Sequence, residues 1–78
     1  MIFTNEEINI MKKLCAHGGT GNVMEFLDYT ASRFDEGFTI ANEMQNKDVV
    51  KLLYSNFNKN LIVVEATLVA YKIAQENQ

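Results

Sequence analysis

Residues 61–74 read LIVVEATLVAYKIA and form the segment around which the rest of the chain must be arranged. On a helix, at about 100° per residue, Glu65, Lys72 and the following Glu76 fall on one narrow stripe. The remaining arc, roughly 260° wide, is apolar or small. A helix with so little polar surface must be covered on most sides, either by the rest of a bundle or by a second copy of the chain.

The same segment is also rich in β-branched residues, and residues 61–64 and 68–69 have the composition of a strand. Against a strand, neither Gly nor Pro interrupts residues 61–76, and no other segment reads as a strand partner. We therefore predict a helix from residue 61 to about residue 75, preceded by a turn at residues 58–60.

Two further helices are predicted from capping signals near the N-terminus. Thr4 followed by Glu7 forms a capping box, and the helix that it opens should end near residue 16, before two glycines. Asn22 should cap a second helix that runs to about residue 36, with Gly37 as its C-terminal stop.

The apolar pattern of residues 38–57 changes phase near Asn46, because Ile40 and Met44 would lie opposite the later apolar residues on one straight helix. We predict a short helix after Thr39, followed by a main helix over residues 47–56 that Asn46 caps. The alternative is one continuous helix that offers Ile40 and Met44 to a partner.

These elements predict an all-α fold, a single helical domain over residues 1–78 built as a bundle of four helices, with an extra short helix near residues 39–45. A chain of this length buries only about 60% of its unfolded surface and needs further stabilisation. Cys15 is the only cysteine and His17 the only histidine, which argues against a disulfide within the chain and against a metal site. Self-association through the C-terminal helix is the expectation that remains.

Charge and composition restrict the function classes. The net charge of −3 and the scattered lysines argue against a nucleic-acid-binding surface. The apolar segment is too short and too interrupted to span a membrane, and the sequence opens without a signal peptide, so we expect a cytoplasmic protein with a reduced thiol. The many asparagines are typical of a low-GC genome, bacterial or phage.

The stretch His17–Asn22, HGGTGN, is the one segment that suggests chemistry. A glycine-rich loop before a helix can bind an anion, but a phosphate loop needs a preceding strand and a following Lys, which we do not find. Cys15 and His17 diverge by about 200° on a helix, which argues against a nucleophilic pair. We predict a structural loop, no catalytic residue, no cofactor and no enzyme activity.

The sequence suggests two surfaces that a partner could contact. The first consists of apolar and aromatic residues at helical spacing, which are common both in cores and at interfaces; these interface candidates are Ile40, Met44, Tyr54, Ile62, Val63, Ala66, Val69, Tyr71 and Ile73. The second is an acidic face on the second predicted helix, which is either solvated or meets a basic partner; it comprises Glu25, Asp28, Asp35 and Glu36.

Together these observations predict a small non-enzymatic protein that acts by protein–protein interaction or regulation, self-associates through the C-terminal helix and binds an unidentified protein partner. Its size and composition suggest a phage or mobile-element protein that modulates a host factor. The alternative is a nucleic-acid-associated transcriptional regulator that acts as a dimer. A helix-turn-helix is disfavoured here, because the first interhelical loop is long and the second helix is acidic.

Overall fold

A computed structural model describes residues 2–77 of the chain. Over these residues the chain forms four α-helices and one three-stranded antiparallel sheet. The order is α1 (Asn5–Ala16), β1 (Thr20–Asn22), α2 (Val23–Leu27), α3 (Phe34–Asn46), β2 (Val50–Ser55), β3 (Ile62–Ala66) and α4 (Leu68–Glu76), with a 3-10 turn at Ala31–Arg33 before α3. The protein is therefore mixed α and β, and the prediction of an all-α helical bundle is wrong.

The segment 61–74 is not one helix but a strand followed by a helix. It divides at Thr67, whose backbone is extended and whose N–H donates to the Val49 carbonyl at 3.1 Å. The Thr67 hydroxyl donates to the Asp48 carbonyl, so two hydrogen bonds fix Thr67 against the residues that precede β2. The β-branched half forms the central strand of the sheet, and the argument that a long helix needs a second copy to cover it has no basis in this fold.

The helix predicted over residues 47–56 is also wrong, because most of that range is β2. The phase change near Asn46 does mark a real boundary, since α3 ends at that residue and Asp48 adopts a left-handed conformation with φ 62°. Upstream of it α3 is continuous from Phe34, so the separate short helix after Thr39 is not formed.

The second predicted helix is much shorter than expected. Asn22 caps α2 by accepting from the Met24 N–H at 3.1 Å, as predicted, but the helix ends at Leu27 because Asp28 is left-handed with φ 58°. Gly37, the predicted stop, lies inside α3 instead. It is buried there, and a Cβ at this position would lie 2.8 Å from the Met24 sulfur, so close packing of α3 on α2 accounts for the glycine.

β3 is the middle strand of the sheet, in the order β1-β3-β2. Val64 pairs with Gly21 on one side and with Leu52 on the other. Ile62 and Val64 point into a core that α1, α2, α3 and α4 complete, and α4 packs on α1. The fully buried large side chains of this core are Ile10, Met11, Leu14, Met24, Met44, Ile62, Val23, Val49 and Val64.

The start of α1 follows the sequence prediction closely. The Glu7 N–H donates to the Thr4 hydroxyl at 3.1 Å, while the Thr4 N–H donates to the Glu7 carboxylate at 2.8 Å. The capping box is thereby confirmed, and the helix ends at Ala16 as expected. Two left-handed glycines, Gly18 and Gly19, then turn the chain into β1.

Candidate interaction surface

Most of the exposed large apolar side chains belong to one continuous part of the sequence, the β2–β3 hairpin and α4. Within residues 2–77, seven large hydrophobic side chains are exposed, and six of them lie between residues 53 and 71. We call these six the hairpin–α4 surface; they are Leu53, Tyr54, Phe57, Leu68, Val69 and Tyr71. Phe57 is fully exposed and Leu68 is 87% exposed.

The loop that carries Phe57 is held by asparagine side chains. The Asn56 carboxamide oxygen accepts from the N–H groups of Asn60 and Leu61 at 3.2 and 3.0 Å. The Asn22 side chain donates to the Asn60 carbonyl at 3.0 Å and accepts from the Ile62 N–H at 2.9 Å. The tip of the β2–β3 hairpin is thus tied to the start of α2, and Phe57 projects from a braced loop.

The outer edge of β2 is modified in two ways that oppose pairing with another strand. A β-bulge inserts Leu53 between Leu52 and Tyr54, which pair with Val64 and Val63. The Leu52 N–H donates to the Gln45 side chain at 2.8 Å instead of pointing free to solvent. Bulges and occupied donors are the common means by which edge strands avoid adding a further strand.

The other end of the hairpin leads into α4, where Leu68 and Val69 occupy the first turn. The Ala66 N–H donates to the Gly19 carbonyl at 2.6 Å, which fixes the end of β3 against the loop after α1. Tyr71 extends toward the same loop, and its hydroxyl would lie 2.5 Å from a Cβ placed on Gly19. The first turn of α4 therefore has a fixed position at the base of the hairpin.

The structure places the nine predicted interface residues in different environments. Met44 and Ile62 are fully buried in the core, Val63 is 9% exposed, and Ile40, Ala66 and Ile73 are partly buried. Tyr54, Val69 and Tyr71 are exposed and belong to the hairpin–α4 surface. Sequence reasoning missed Leu53, Phe57 and Leu68. A lone aromatic among the asparagines of residues 56–60 is the signal that would have identified Phe57.

The predicted acidic residues are exposed, but they do not share one helix. Glu25 lies on α2 and Asp28 ends that helix, whereas Asp35 and Glu36 form the first turn of α3. Carboxylates in a first turn interact favourably with the helix dipole. This interaction accounts for Asp35 and Glu36 without a binding partner. The face predicted on a single helix is thus divided between two.

An open depression of about 430 Å³ lies beside α3 and is lined mainly by polar side chains. The Arg33 guanidinium lies 3.7 Å from the centroid of the Tyr29 ring and donates twice to Glu36, at 2.9 and 3.3 Å. The Tyr29 hydroxyl donates to Glu6 at 3.1 Å. Burial and this hydrogen bond raise the pKa of Tyr29, while the hydrogen bond from Arg33 lowers the pKa of Glu36. The charged groups here are paired with each other.

The glycine-rich loop has a structural use that the hydrogen bonds explain. The Gly19 N–H donates to the Leu14 carbonyl at 2.7 Å, and the His17 N–H donates to the same carbonyl at 3.0 Å, so both cap the end of α1. The His17 ring packs near the Phe26 ring, with 5.8 Å between centroids. Burial raises the pKa of the Cys15 thiol, which disfavours the nucleophilic thiolate.

No protein-family model matches the sequence, and neither a curated protein nor a solved structure matches it.

Across residues 2–77, no cluster of three or more His, Cys, Asp or Glu side chains is arranged to hold a metal ion. Over the same residues, no helix has the length and apolar character needed to cross a membrane.

Proposed function

We propose that the protein is a small non-enzymatic regulatory protein that acts by binding another protein chain through the hairpin–α4 surface. The observation that carries the proposal is the exposure of Phe57 and Leu68, which stand at opposite ends of one braced hairpin. Exposed apolar groups of this kind mark interaction sites in soluble proteins when they are numerous enough to form a surface.

The exposed aromatic side chains supply part of the area of about 800 Å² that a standard interface buries on each partner. The exposed parts of Tyr54, Phe57 and Tyr71 together equal about two aromatic side chains, roughly 300–500 Å². Covering Phe57 alone would contribute about 1.5–3 kcal/mol to binding. Aromatic residues dominate the energetics of most interfaces, so these three side chains are the ones whose burial would contribute most to binding.

Affinity capture from an extract of the organism that encodes the protein tests the proposal. The baits are the wild-type chain and a variant that combines Phe57→Ser with Leu68→Ser. The matched control is Ile2→Ser, which removes an equally exposed apolar side chain (88%) outside the hairpin–α4 surface. We expect specific partners to be lost from the double variant and retained by the control. Equal capture by all three baits would overturn the proposal.

One observation favours the alternative, a nucleic-acid-associated regulator. A short helix, a turn and a longer helix are followed by a β-hairpin, which is the order of elements in a winged helix-turn-helix. The longer helix would then read the DNA. However, α3 carries Asp35, Glu36 and Glu43 with no Lys or Arg, and acidic groups repel the phosphate backbone.

Salt-dependent retention on duplex DNA separates the two functions. The protein-binding proposal predicts that the wild-type chain elutes in the void at low salt, and that Lys51→Gln with Lys59→Gln changes nothing. Retention that falls steeply with salt and is lost in this lysine variant would instead support the nucleic-acid function.

A further inference from the structure

We infer that the outer edge of β1 binds an extended segment of another protein chain, which adds a fourth strand to the sheet beside Thr20 and Asn22. The contact is made mainly through backbone hydrogen bonds, because an added strand pairs with the main chain of the edge that it joins. The inference goes beyond the proposed function, since it uses the backbone of β1 and none of the six residues of the hairpin–α4 surface.

The pairing of β1 with β3 directs alternate backbone groups of β1 away from the sheet. The Ala66 N–H donates to the Gly19 carbonyl at 2.6 Å, and Gly21 follows on the same ladder. In an antiparallel pair, hydrogen-bonded positions alternate with positions whose N–H and carbonyl point outward. Gly19 and Gly21 therefore occupy the bonded positions. The N–H and carbonyl of Thr20 and the N–H of Asn22 point away from β3.

The opposite edge of the sheet supports the same phase of the ladder. Val64 pairs with Gly21 in β1 and with Leu52 in β2, and a residue of a middle strand bonds to one of its two neighbours. The Leu52 N–H donates outward to Gln45 at 2.8 Å, so the backbone of Val64 bonds to Gly21. Thr20 is adjacent to Gly21 along β1, and its backbone groups consequently face outward.

The two edges of the sheet differ in whether they can accept a further strand. The β2 edge carries the bulge at Leu53, and the Leu52 N–H is occupied. At the β1 edge, within residues 2–77, no backbone group from outside the sheet bonds to the N–H or carbonyl of Thr20. Thr20 is exposed, so an approaching chain can reach these groups.

A small depression of about 120 Å³ lies against this edge and specifies the side chains of the added strand. Its lining residues are His17, Thr20, Gly21, Asn22, Glu25 and Phe26. A Cβ on Gly21 would contact the Phe26 ring, so this ring lies on the face toward which position 21 points. The added residue opposite Gly21 points to the same face, where we expect an apolar side chain. Its two neighbours point to the other face and are expected to be polar.

A second copy of this chain fits the β1 edge poorly. β1 is three residues long and is followed directly by α2. The left-handed Gly18 and Gly19 turn the chain just before it. Two copies of β1 can therefore align over a very short stretch, whereas an extended segment without flanking turns continues along the edge. The partner is accordingly an extended segment of a different chain, with alternating apolar and polar residues.

Selection of linear peptides tests the inference. Random linear peptides displayed on phage are selected on the wild-type chain and counter-selected on Thr20→Pro, which removes the outward N–H and keeps the bonds between β1 and β3. Thr20→Val is the matched control, because it retains the N–H. We expect the selected peptides, once synthesised, to bind the wild type and Thr20→Val alike and to bind Thr20→Pro severalfold more weakly.

Methylation of the peptide backbone supplies a second measurement, which holds even if Thr20→Pro fails to fold and the selection is made on the wild type alone. N-methyl groups at alternate residues block one edge of an extended peptide and leave the other edge free. Methylation in one register should abolish binding, and methylation in the other should leave it unchanged. In NMR spectra the peptide should shift the amides of Thr20 and Asn22 and leave that of Leu52 in place.

Three results would each overturn the inference. The first is a selection that yields no peptide binding at β1, including one whose peptides shift the hairpin amides instead. The second is binding that neither register of methylation affects. The third is a Thr20 amide as protected from hydrogen exchange as that of Gly21, which would show that the edge is already covered; a dimeric mass by light scattering would then assign it to a second copy. None of these results bears on the capture experiment with the Phe57 and Leu68 variants.

Discussion

The carboxylate of Glu7 accepts two hydrogen bonds from the Lys47 ammonium, at 2.9 and 3.1 Å, and so joins the first turn of α1 to the residue that follows α3. Lys47 also donates to the Ile2 carbonyl at 3.1 Å. The Glu7 side chain is only 2% exposed, while that of Lys47 is 26% exposed. This pair fastens the N-terminal segment onto the body of the protein.

Replacing Lys47 by Met should destabilise the protein by about 3 kcal/mol, because it leaves a buried carboxylate without its cation. Unfolding in urea, followed by circular dichroism, measures this loss. The double variant Glu7→Gln with Lys47→Met should lose less than Lys47→Met alone, because no unpaired charge remains. A double variant that is less stable than the single one would contradict this account.

Replacing Gly19 by Ala should cost about 2–4 kcal/mol, from the left-handed backbone (φ 94°) and from contact with the Tyr71 hydroxyl. Gly18→Ala is the matched control, since Gly18 is also left-handed but has no atom within 4 Å of a Cβ. Thermal unfolding should show a smaller loss for Gly18→Ala. Adding Tyr71→Phe should relieve part of the Gly19→Ala loss, and the absence of any relief would exclude the contact.

Replacing Asn22 by Ala should destabilise the protein by about 2–3 kcal/mol, because the side chain caps α2 and also binds the hairpin loop. Asn22→Asp keeps the accepting oxygen and loses only the donor to Asn60, so its loss should be intermediate. Asn58→Ala, at an exposed loop position, should change the stability by less than about 0.5 kcal/mol. Equal losses at positions 22 and 58 in urea unfolding would contradict this role.

The Cys15 thiol should react slowly with iodoacetamide in the folded protein. Burial raises its pKa above the ordinary value, so near pH 8 the folded chain holds less thiolate than the unfolded chain. The alkylation rate, followed by mass spectrometry, should rise on unfolding in urea and should rise with pH well into the alkaline range. A folded-state rate equal to that of the unfolded chain would show that the thiol is not protected.

Three features that depend on neighbours in the sequence were predicted correctly, although two other local signals failed, since Gly37 lies inside α3 and Asn46 ends α3 instead of capping a helix over residues 47–56. The capping box of Thr4 and Glu7 and the cap at Asn22 each involve residues within three positions, so their signals are local. The change of apolar phase near Asn46 likewise marks the end of α3. Each of these depends on local backbone geometry and not on the rest of the fold.

The sheet was missed for a different physical reason. β1 is the tripeptide Thr20-Gly21-Asn22, which has no apolar alternation to reveal it. In β2 the bulge at Leu53 breaks the two-residue period, and the resulting spacing of Val49, Leu52 and Leu53 imitates one face of a helix. Because neither β1 nor β2 has a recognisable strand pattern in the sequence, β3 had no predicted pairing partner and was assigned to a helix.

The interaction surface was predicted only in part, since the sequence does not show which apolar side chains are buried in the core and which remain exposed. Tyr54, Val69 and Tyr71 were predicted interface residues and are exposed, whereas Met44 and Ile62 had the same apolar character and are fully buried. Residue type alone does not separate the two groups. Whether a partner binds the exposed group stays a prediction.

The closed edge of β2 has a consequence for the behaviour of the protein at high concentration. Since Gln45 occupies the amide of Leu52 and Leu53 is out of register, this edge is a poor template for the stacking of successive chains into fibrils. The protein can therefore expose apolar side chains on the β2–β3 hairpin without this edge adding further strands.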